Sequence, residues 1–232
     1  MKKRVLIKLS GEALSDGNNS YSESVLSDIT VKVDSLIRSG TEVCLVVGGG
    51  NLFRGAELSR DLDVRRPTAD YIGMLGTVQN ALVLRDYFIA KGVDARVLSA
   101  IPMNRVCEPY IPGRAIRHMH KGRVVIFGGG LGNPYFTTDS ASAQRALEME
   151  CDMLIMAKHG VDGVYTDDPR SNSEAQKIDS ITGSDMLEQN LKVVDASAIS
   201  VARDNGLPIH IIAMEDLSKA GDTSVGTVVH PE

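Results

Sequence analysis

Short apolar runs rich in β-branched residues recur along this chain, and each gives way to a turn and then a helical pattern. Residues 5–9, 43–47, 95–99, 124–127, 153–157 and 209–213 read as strands, with residues 227–229 as a last one. Val25, Ile29, Val33 and Leu36 recur at helical spacing until Arg38 and Gly40, a basic last turn followed by a stop. A longer helical pattern follows Pro67 and Thr68, runs to about Lys91 and closes at Gly92. Further helical patterns cover residues 114–120, 140–149 and 195–205. Strands that are apolar throughout and alternate with helices demand an α/β architecture, a mainly parallel sheet covered on both faces. Ligands of such sheets bind at the carboxyl ends of the strands.

Composition narrows the setting. A chain of 232 residues with 43% hydrophobic content fits one domain, or a domain with an elaborated lobe, that buries roughly 70% or more of its unfolded surface without staples. The net charge of −5 argues against bulk binding to nucleic acid or anionic lipid. Cys44, Cys107 and Cys151 are widely spaced and form no CxxC pair, which points to reduced thiols rather than a disulfide framework or zinc site. The basic start is followed by an apolar run of only residues 5–7 before Lys8 interrupts it, too short for a secretory segment. No segment approaches a membrane span. A soluble, cytoplasmic protein is expected. Residues 161–176, rich in Asp, Ser and Asn, read as an exposed hairpin or lid.

Polar or glycine-rich turns follow four of the strands: Lys8 to Gly11, Gly48 to Asn51, Gly128 to Asn133, and Lys158 to Gly160. Any one of them taken alone reads equally well as a tight turn. Together, at one edge of one sheet, they suggest backbone amides gathered around phosphate, with glycine permitting close approach. Neither familiar fingerprint is present: there is no G-x-x-x-x-G-K-[ST], and no turn carries G-x-G-x-x-G. Positive charge matches the turns. Lys8 ends an apolar strand, Lys158 closes another in the same way, and Arg54 follows the second glycine turn. The plainer alternatives are a lysine snorkelling at a sheet edge and a surface ion pair. Asp139 and Asp195 each open a helical pattern and read either as helix caps or as carboxylates that hold the lysines between phosphates.

The blocks KLSGEAL (8–14), GGGNLFRG (48–55), TADYIGM (68–74), GNPYFTTD (132–139) and VDGVYTDDP (161–169) closely resemble the signature segments of the bacterial uridylate kinases, a branch of the amino-acid kinase superfamily. The resemblance runs nearly the whole chain. Residues 108–111 and 115–118 resemble the Gram-positive-type branch more weakly. The resemblance implies a single domain over residues 1–232, a three-layer αβα sandwich with a mainly parallel eight-stranded sheet. Its acceptor side would span roughly residues 1–150 and its ATP side roughly residues 151–232. It also implies a homohexamer and transfer of the ATP γ-phosphoryl group to UMP in pyrimidine nucleotide synthesis, with Mg²⁺ carried by the ATP.

Carried over position by position, Lys8, Leu9, Ser10 and Gly11 line the ATP phosphates, and Gly50 and Arg54 also reach nucleotide phosphate. His159 or Gly160, Tyr165 and Asp168 fall on the adenosine side. Gly49 and Asp70 fall where UMP binds, the aspartate on ribose hydroxyls. Leu131, Gly132, Asn133, Pro134, Tyr135, Phe136, Thr137 and Thr138 match the segment that wraps UMP. Lys8, Lys158, Arg54, Asp139 and Asp195 form the catalytic set. Feedback by UTP and activation by GTP rest on the same analogy. The segment 15–21 departs from the glycine-rich one that GTP-responsive members often carry, which leaves GTP activation open. Leu131 stands where many relatives have Thr. Gly76 stands where they usually have Ala, and a helical glycine there suggests close packing. Two rival readings stand beside this one: a kinase of the same superfamily acting on a carboxylate or carbamate, and a non-catalytic nucleotide- or oxyanion-binding protein.

Overall fold

A computed structural model describes residues 2–53, 63–169, 171–172 and 174–232; Arg54, one of the expected catalytic residues, lies outside them. The strands of the main sheet are β1 (Arg4–Leu9), β2 (Glu42–Val47), β3 (Ala95–Ser99), β4 (Glu108–Pro109), β5 (Val124–Gly128), β6 (Met153–Lys158), β9 (Ser180–Thr182), β10 (Ile209–Ala213) and β11 (Thr227–His230). They lie in the order β4-β3-β5-β2-β1-β6-β10-β11-β9. Every neighbouring pair is parallel except β10 with β11. The sheet is the large, mostly parallel one expected, but it has nine strands among the described residues rather than eight. The two-residue β4 extends one edge; so short a strand leaves no period for sequence reasoning to detect. Val164–Tyr165 (β7) pairs antiparallel with Lys177–Ile178 (β8), so the polar stretch from residue 161 is indeed a hairpin.

Helices cover both faces. They are α1 (Glu23–Arg38), α2 (Arg66–Ala90), α3 (Pro112–His120), α4 (Thr138–Glu148), α5 (Gly183–Glu188) and α6 (Ala196–Asp204). The strand period of two sorts β1 between two cores. Val5, Ile7 and Leu9 join Leu26, Ile29 and Val33 of α1 and Leu84 and Phe88 of α2. Leu6 faces the other way, with Ala143 and Ala146 of α4 and Ala198 of α6. That alternation fixes where Lys8 points: it shares the face of Leu6 and therefore looks toward α4. Among the described residues no helix is long and apolar enough to cross a membrane. The three thiols are free, with the Cys44 and Cys151 sulfurs 3.9 Å apart.

Candidate active site

Parallel pairing places the ends of β5, β2, β1 and β6 side by side at one edge of the sheet, so the four polar turns converge there. The turn after β1 nests against the turn after β2. A Cβ built on Gly11 would sit 2.5 Å from the Gly50 nitrogen and 2.8 Å from the Gly48 carbonyl oxygen. One built on Gly48 would sit 3.0 Å from the Gly11 nitrogen, and one on Gly49 only 2.8 Å from the Gly73 carbonyl oxygen of α2. These glycines lack side chains because protein backbone approaches protein backbone. That corrects the expectation that a nucleotide alone demands them. Gly50 differs: its Cβ would meet nothing nearer than the Glu12 carboxylate at 3.6 Å.

The fully buried Asn80 of α2 locks the arrangement. Its Nδ2 donates to the Gly48 carbonyl at 2.6 Å and to Asn51 Oδ1 at 2.7 Å, and its Oδ1 accepts from the Tyr21 hydroxyl at 2.9 Å. Thr77, one turn earlier, accepts the Gly129 N–H at 2.8 Å. Sequence reasoning missed both residues. They share one side of the helix with Asp70, but Arg66, Gln79, Arg85 and Asp86 put polar groups at other positions of the same helix, so the sequence does not single them out.

Lys8 is buried in the centre of the sheet, which removes the reading of a lysine snorkelling at an edge. Its Nζ lies 2.8 Å from Asp139 Oδ1, and Lys158 Nζ lies 3.8 Å from Asp139 Oδ2. Asp139 is not the helix cap: Thr137 caps α4 by accepting the Ser140 N–H, which leaves the aspartate in the first turn to face the lysines. Burial works to raise the Asp139 pKa, but the charges of Lys8 and then Lys158 outweigh it and hold the carboxyl below its ordinary value. Burial pushes Lys158 down from the usual lysine range, with Asp139 opposing and Lys8 assisting. Removing charges from water is expensive, and one carboxylate between two amines satisfies both only where further charge arrives.

Asp195 opens α6, as its place in the sequence suggested, and stands farther from the lysines than Asp139 does. It occupies the cap position of α6 without a side-chain capping bond. Its backbone N–H donates to Asp139 Oδ2 at 3.4 Å. Its carboxylate raises the Lys158 pKa through charge but comes within 4 Å of neither lysine among the described residues.

Two cavities are lined by residues that adjoin this centre in the chain. One of about 270 Å³ is walled by Gly49, Gly50, Asp70, Leu131, Asn133, Phe136, Thr137 and Thr138, together with Phe53, Arg66 and Thr77, which sequence reasoning did not nominate. Asp70 Oδ1 accepts from Arg66 Nε at 2.8 Å and Oδ2 from the Tyr135 N–H at 2.8 Å. Gly132, Pro134 and Tyr135 belong to the same loop but not to the wall. Tyr135 is held at φ 69°, left-handed for a bulky residue, and its ring lies outside. The second cavity, about 550 Å³, is formed by Val161 and residues 163–169 of the hairpin and by residues 189–193. Tyr165 and Asp168 line it. His159 and Gly160 form the exposed turn that leads to it from Lys158 and are not in its wall. Leu9 and Ser10 stay with the β1 turn, where the Ser10 hydroxyl accepts the Ala13 N–H at 3.2 Å.

A mostly parallel sheet with two amines and one carboxylate at its carboxyl edge defines a class, and residues 3–213 match the family model described as the amino acid kinase family. The chain belongs to that family. Within it, the chain is 53% identical over 215 residues to a uridylate kinase of Leifsonia xyli, covering 92% of this chain and 90% of that protein. It is 49% identical over 232 residues to a uridylate kinase of Streptomyces avermitilis, covering 97% and 91%. The crystal structure of a UMP kinase from Bacillus anthracis matches with a TM-score of 0.94 and 42% identity, covering 100% of this chain and 97% of that one. A UMP kinase from Ureaplasma parvum matches at 0.91 with 34% identity, covering 99% of each chain.

Proposed function

We propose that this protein is a uridylate kinase, transferring the γ-phosphoryl group of ATP to UMP to give ADP and UDP. The observation that carries the reading is the Lys8–Asp139–Lys158 cluster at the carboxyl edge of the sheet, next in the chain to the loop residues that line the smaller cavity. Full-length kinship with uridylate kinases supports UMP as the acceptor. The smaller cavity takes UMP, with Asp70 facing ribose hydroxyls and residues 131–138 wrapping the nucleotide. The larger takes the adenosine of ATP against Tyr165 and Asp168.

In the reaction, an already ionised phosphate oxygen of UMP attacks the γ-phosphorus while its bond to the ADP oxygen breaks. No general base is needed, and the protein's work is positioning and charge neutralisation. Lys8 and Lys158 neutralise the transferring group and the leaving oxygens, with backbone N–H groups around Gly50 adding dipole. Asp139 keeps both amines aimed inward, and Asp195 biases Lys158 toward its charged form. Arg54 grips acceptor phosphate. ATP arrives as its magnesium complex. The reading extends to one domain with an acceptor side and a donor side, to a homohexamer and to a cytoplasmic setting. UTP inhibition and GTP activation rest on kinship alone. A coupled assay of ADP release with UMP, CMP, AMP, glutamate and aspartate tests the assignment. Rapid turnover with UMP alone is expected; turnover of CMP as fast as of UMP, or of either amino acid, sinks it.

A further inference from the structure

The loop that follows β5 is built on three glycines with left-handed backbone, Gly129 at φ 77°, Gly130 at φ 55° and Gly132 at φ 80°. Such a stretch has the largest conformational freedom to lose on folding, so it needs fixing from outside. Thr77 fixes one end through the Gly129 N–H. The other fixed point is Arg145 of α4, 5% exposed, whose guanidinium donates to the Gly130 carbonyl at 3.2 Å.

We propose that Arg145 is a positioning residue for the acceptor nucleotide, acting through the Gly130 carbonyl to hold the loop that leads into residues 131–138. The inference rests on the assignment of that segment to UMP. Arg145 does not line the acceptor cavity, so it touches no substrate. Its charge is already neutralised inside the protein by an ion pair with Glu148, which leaves its remaining donors for the loop. Glu148 is fixed in turn by Gln144 at 3.0 Å and by the Tyr110 hydroxyl. Burial works to raise the Glu148 pKa, but these hydrogen bonds and Arg145 overcome it and keep the carboxyl ionised. The Tyr110 ring packs 3.8 Å from the guanidinium and meets Phe127 of β5 edge-on at 5.5 Å. A planar fork held by a carboxylate and a ring face loses little freedom when it grips one more oxygen. A surface role for this arginine would need none of that.

The test is steady-state kinetics on Arg145→Met, which removes every donor but keeps the stem, with Arg145→Lys as the conservative variant and Asp70→Ala as a reference. Glu148 retains Gln144 and Tyr110 in Arg145→Met, so no carboxylate is left bare. Loss of a charge-assisted hydrogen bond is expected to raise KM for UMP about tenfold, with KM for ATP within about twofold. Arg145→Lys should recover part of the difference. Equal changes in both KM values, or an unchanged KM for UMP while Asp70→Ala raises it, overturn the proposal alone. Unchanged KM for UMP in both variants overturns the acceptor assignment, and this inference with it. Should Arg145→Met fail to fold, Arg145→Lys carries the test: a KM for UMP about threefold higher at unchanged thermal midpoint supports it, and a wild-type value refutes it.

Discussion

The two walls of the site are built by different means. The acceptor wall is braced from within the protein, by Asn80 on the Gly48 turn, Thr77 on Gly129 and glycines pressed backbone to backbone. The donor wall is a two-residue ladder, β7 with β8, anchored at one point by the buried Thr227 hydroxyl, which accepts the Val164 N–H at 2.8 Å and donates to the Ile178 carbonyl, and otherwise tied by polar contacts near solvent. Tyr165 and Lys177 both reach the Asp162 carboxylate, at 2.6 and 2.9 Å. Buried amide networks fix geometry tightly, whereas exposed ion pairs contribute little. On the proposed assignment, the acceptor would meet the more heavily braced seat and the donor the more lightly tied one. Lys8, on the strand between, belongs to neither.

That placement yields the largest expected effect. Lys8→Ala should lower kcat by about 10²–10³, as loss of a charge aimed at the transition state commonly does, while both KM values change little. A mutant that merely raised KM for one nucleotide would assign Lys8 to that wall and break the comparison.

Asp139 sharpens it through pH. Its carboxyl is held below the ordinary 3.8 by Lys8 and Lys158 despite burial. A depressed folded-state pKa contributes stability that is present above 3.8 and lost as pH falls through the folded value. Lys158 works in the opposite sense: burial depresses its pKa, so its charged form, and the rate that depends on it, disappear as pH rises through that lowered value. Asp139→Asn removes the negative charge that opposes this drop and leaves Lys8 beside Lys158. The alkaline limb of the kcat profile should therefore move to lower pH, and a limb that stays in place would remove Lys158 from the chemistry. Asp139→Ala, which strands two buried amines, should destabilise the fold by about 3–5 kcal/mol in chemical denaturation.

Much of the site could be read before any coordinates, and the reasons are particular. Lys8 and Lys158 stand out because a charged residue closing an apolar strand has few harmless explanations, and the glycine turns stand out by composition. The helix spans of α1, α2, α3, α4 and α6 follow from their apolar period. What escaped is instructive. The strands β4 and β9 and the six-residue α5 are too short to show a period, and β7 and β8 were legible only as an exposed hairpin or lid, without their bounds. Thr77, Asn80 and Arg145 were overlooked because polar residues inside a helical pattern pass for its solvent face. Only the fold reveals that they are buried. The opposite error occurred with the glycines, where three of the gaps attributed to a nucleotide turned out to be filled by neighbouring backbone.

Gly76 gives the smallest effect and tests the claim of bracing most finely. The sequence suggested that close packing requires it. Yet a Cβ there would meet the Gly49 oxygen at 3.6 Å and the Phe53 ring at 3.8 Å, ordinary contact distances, and its φ is not in the left-handed region. Alanine fits. Gly76→Ala should then stabilise the protein by about 0.4–1 kcal/mol, by narrowing the unfolded ensemble and favouring helix, with KM for UMP unchanged. Gly49→Ala, whose Cβ would meet the Gly73 oxygen at 2.8 Å, should do the reverse and destabilise the acceptor wall. Parallel thermal melts of the two variants separate a glycine the brace requires from one it merely contains; if both substitutions were neutral, the turns would not be packed as tightly as the acceptor seat demands.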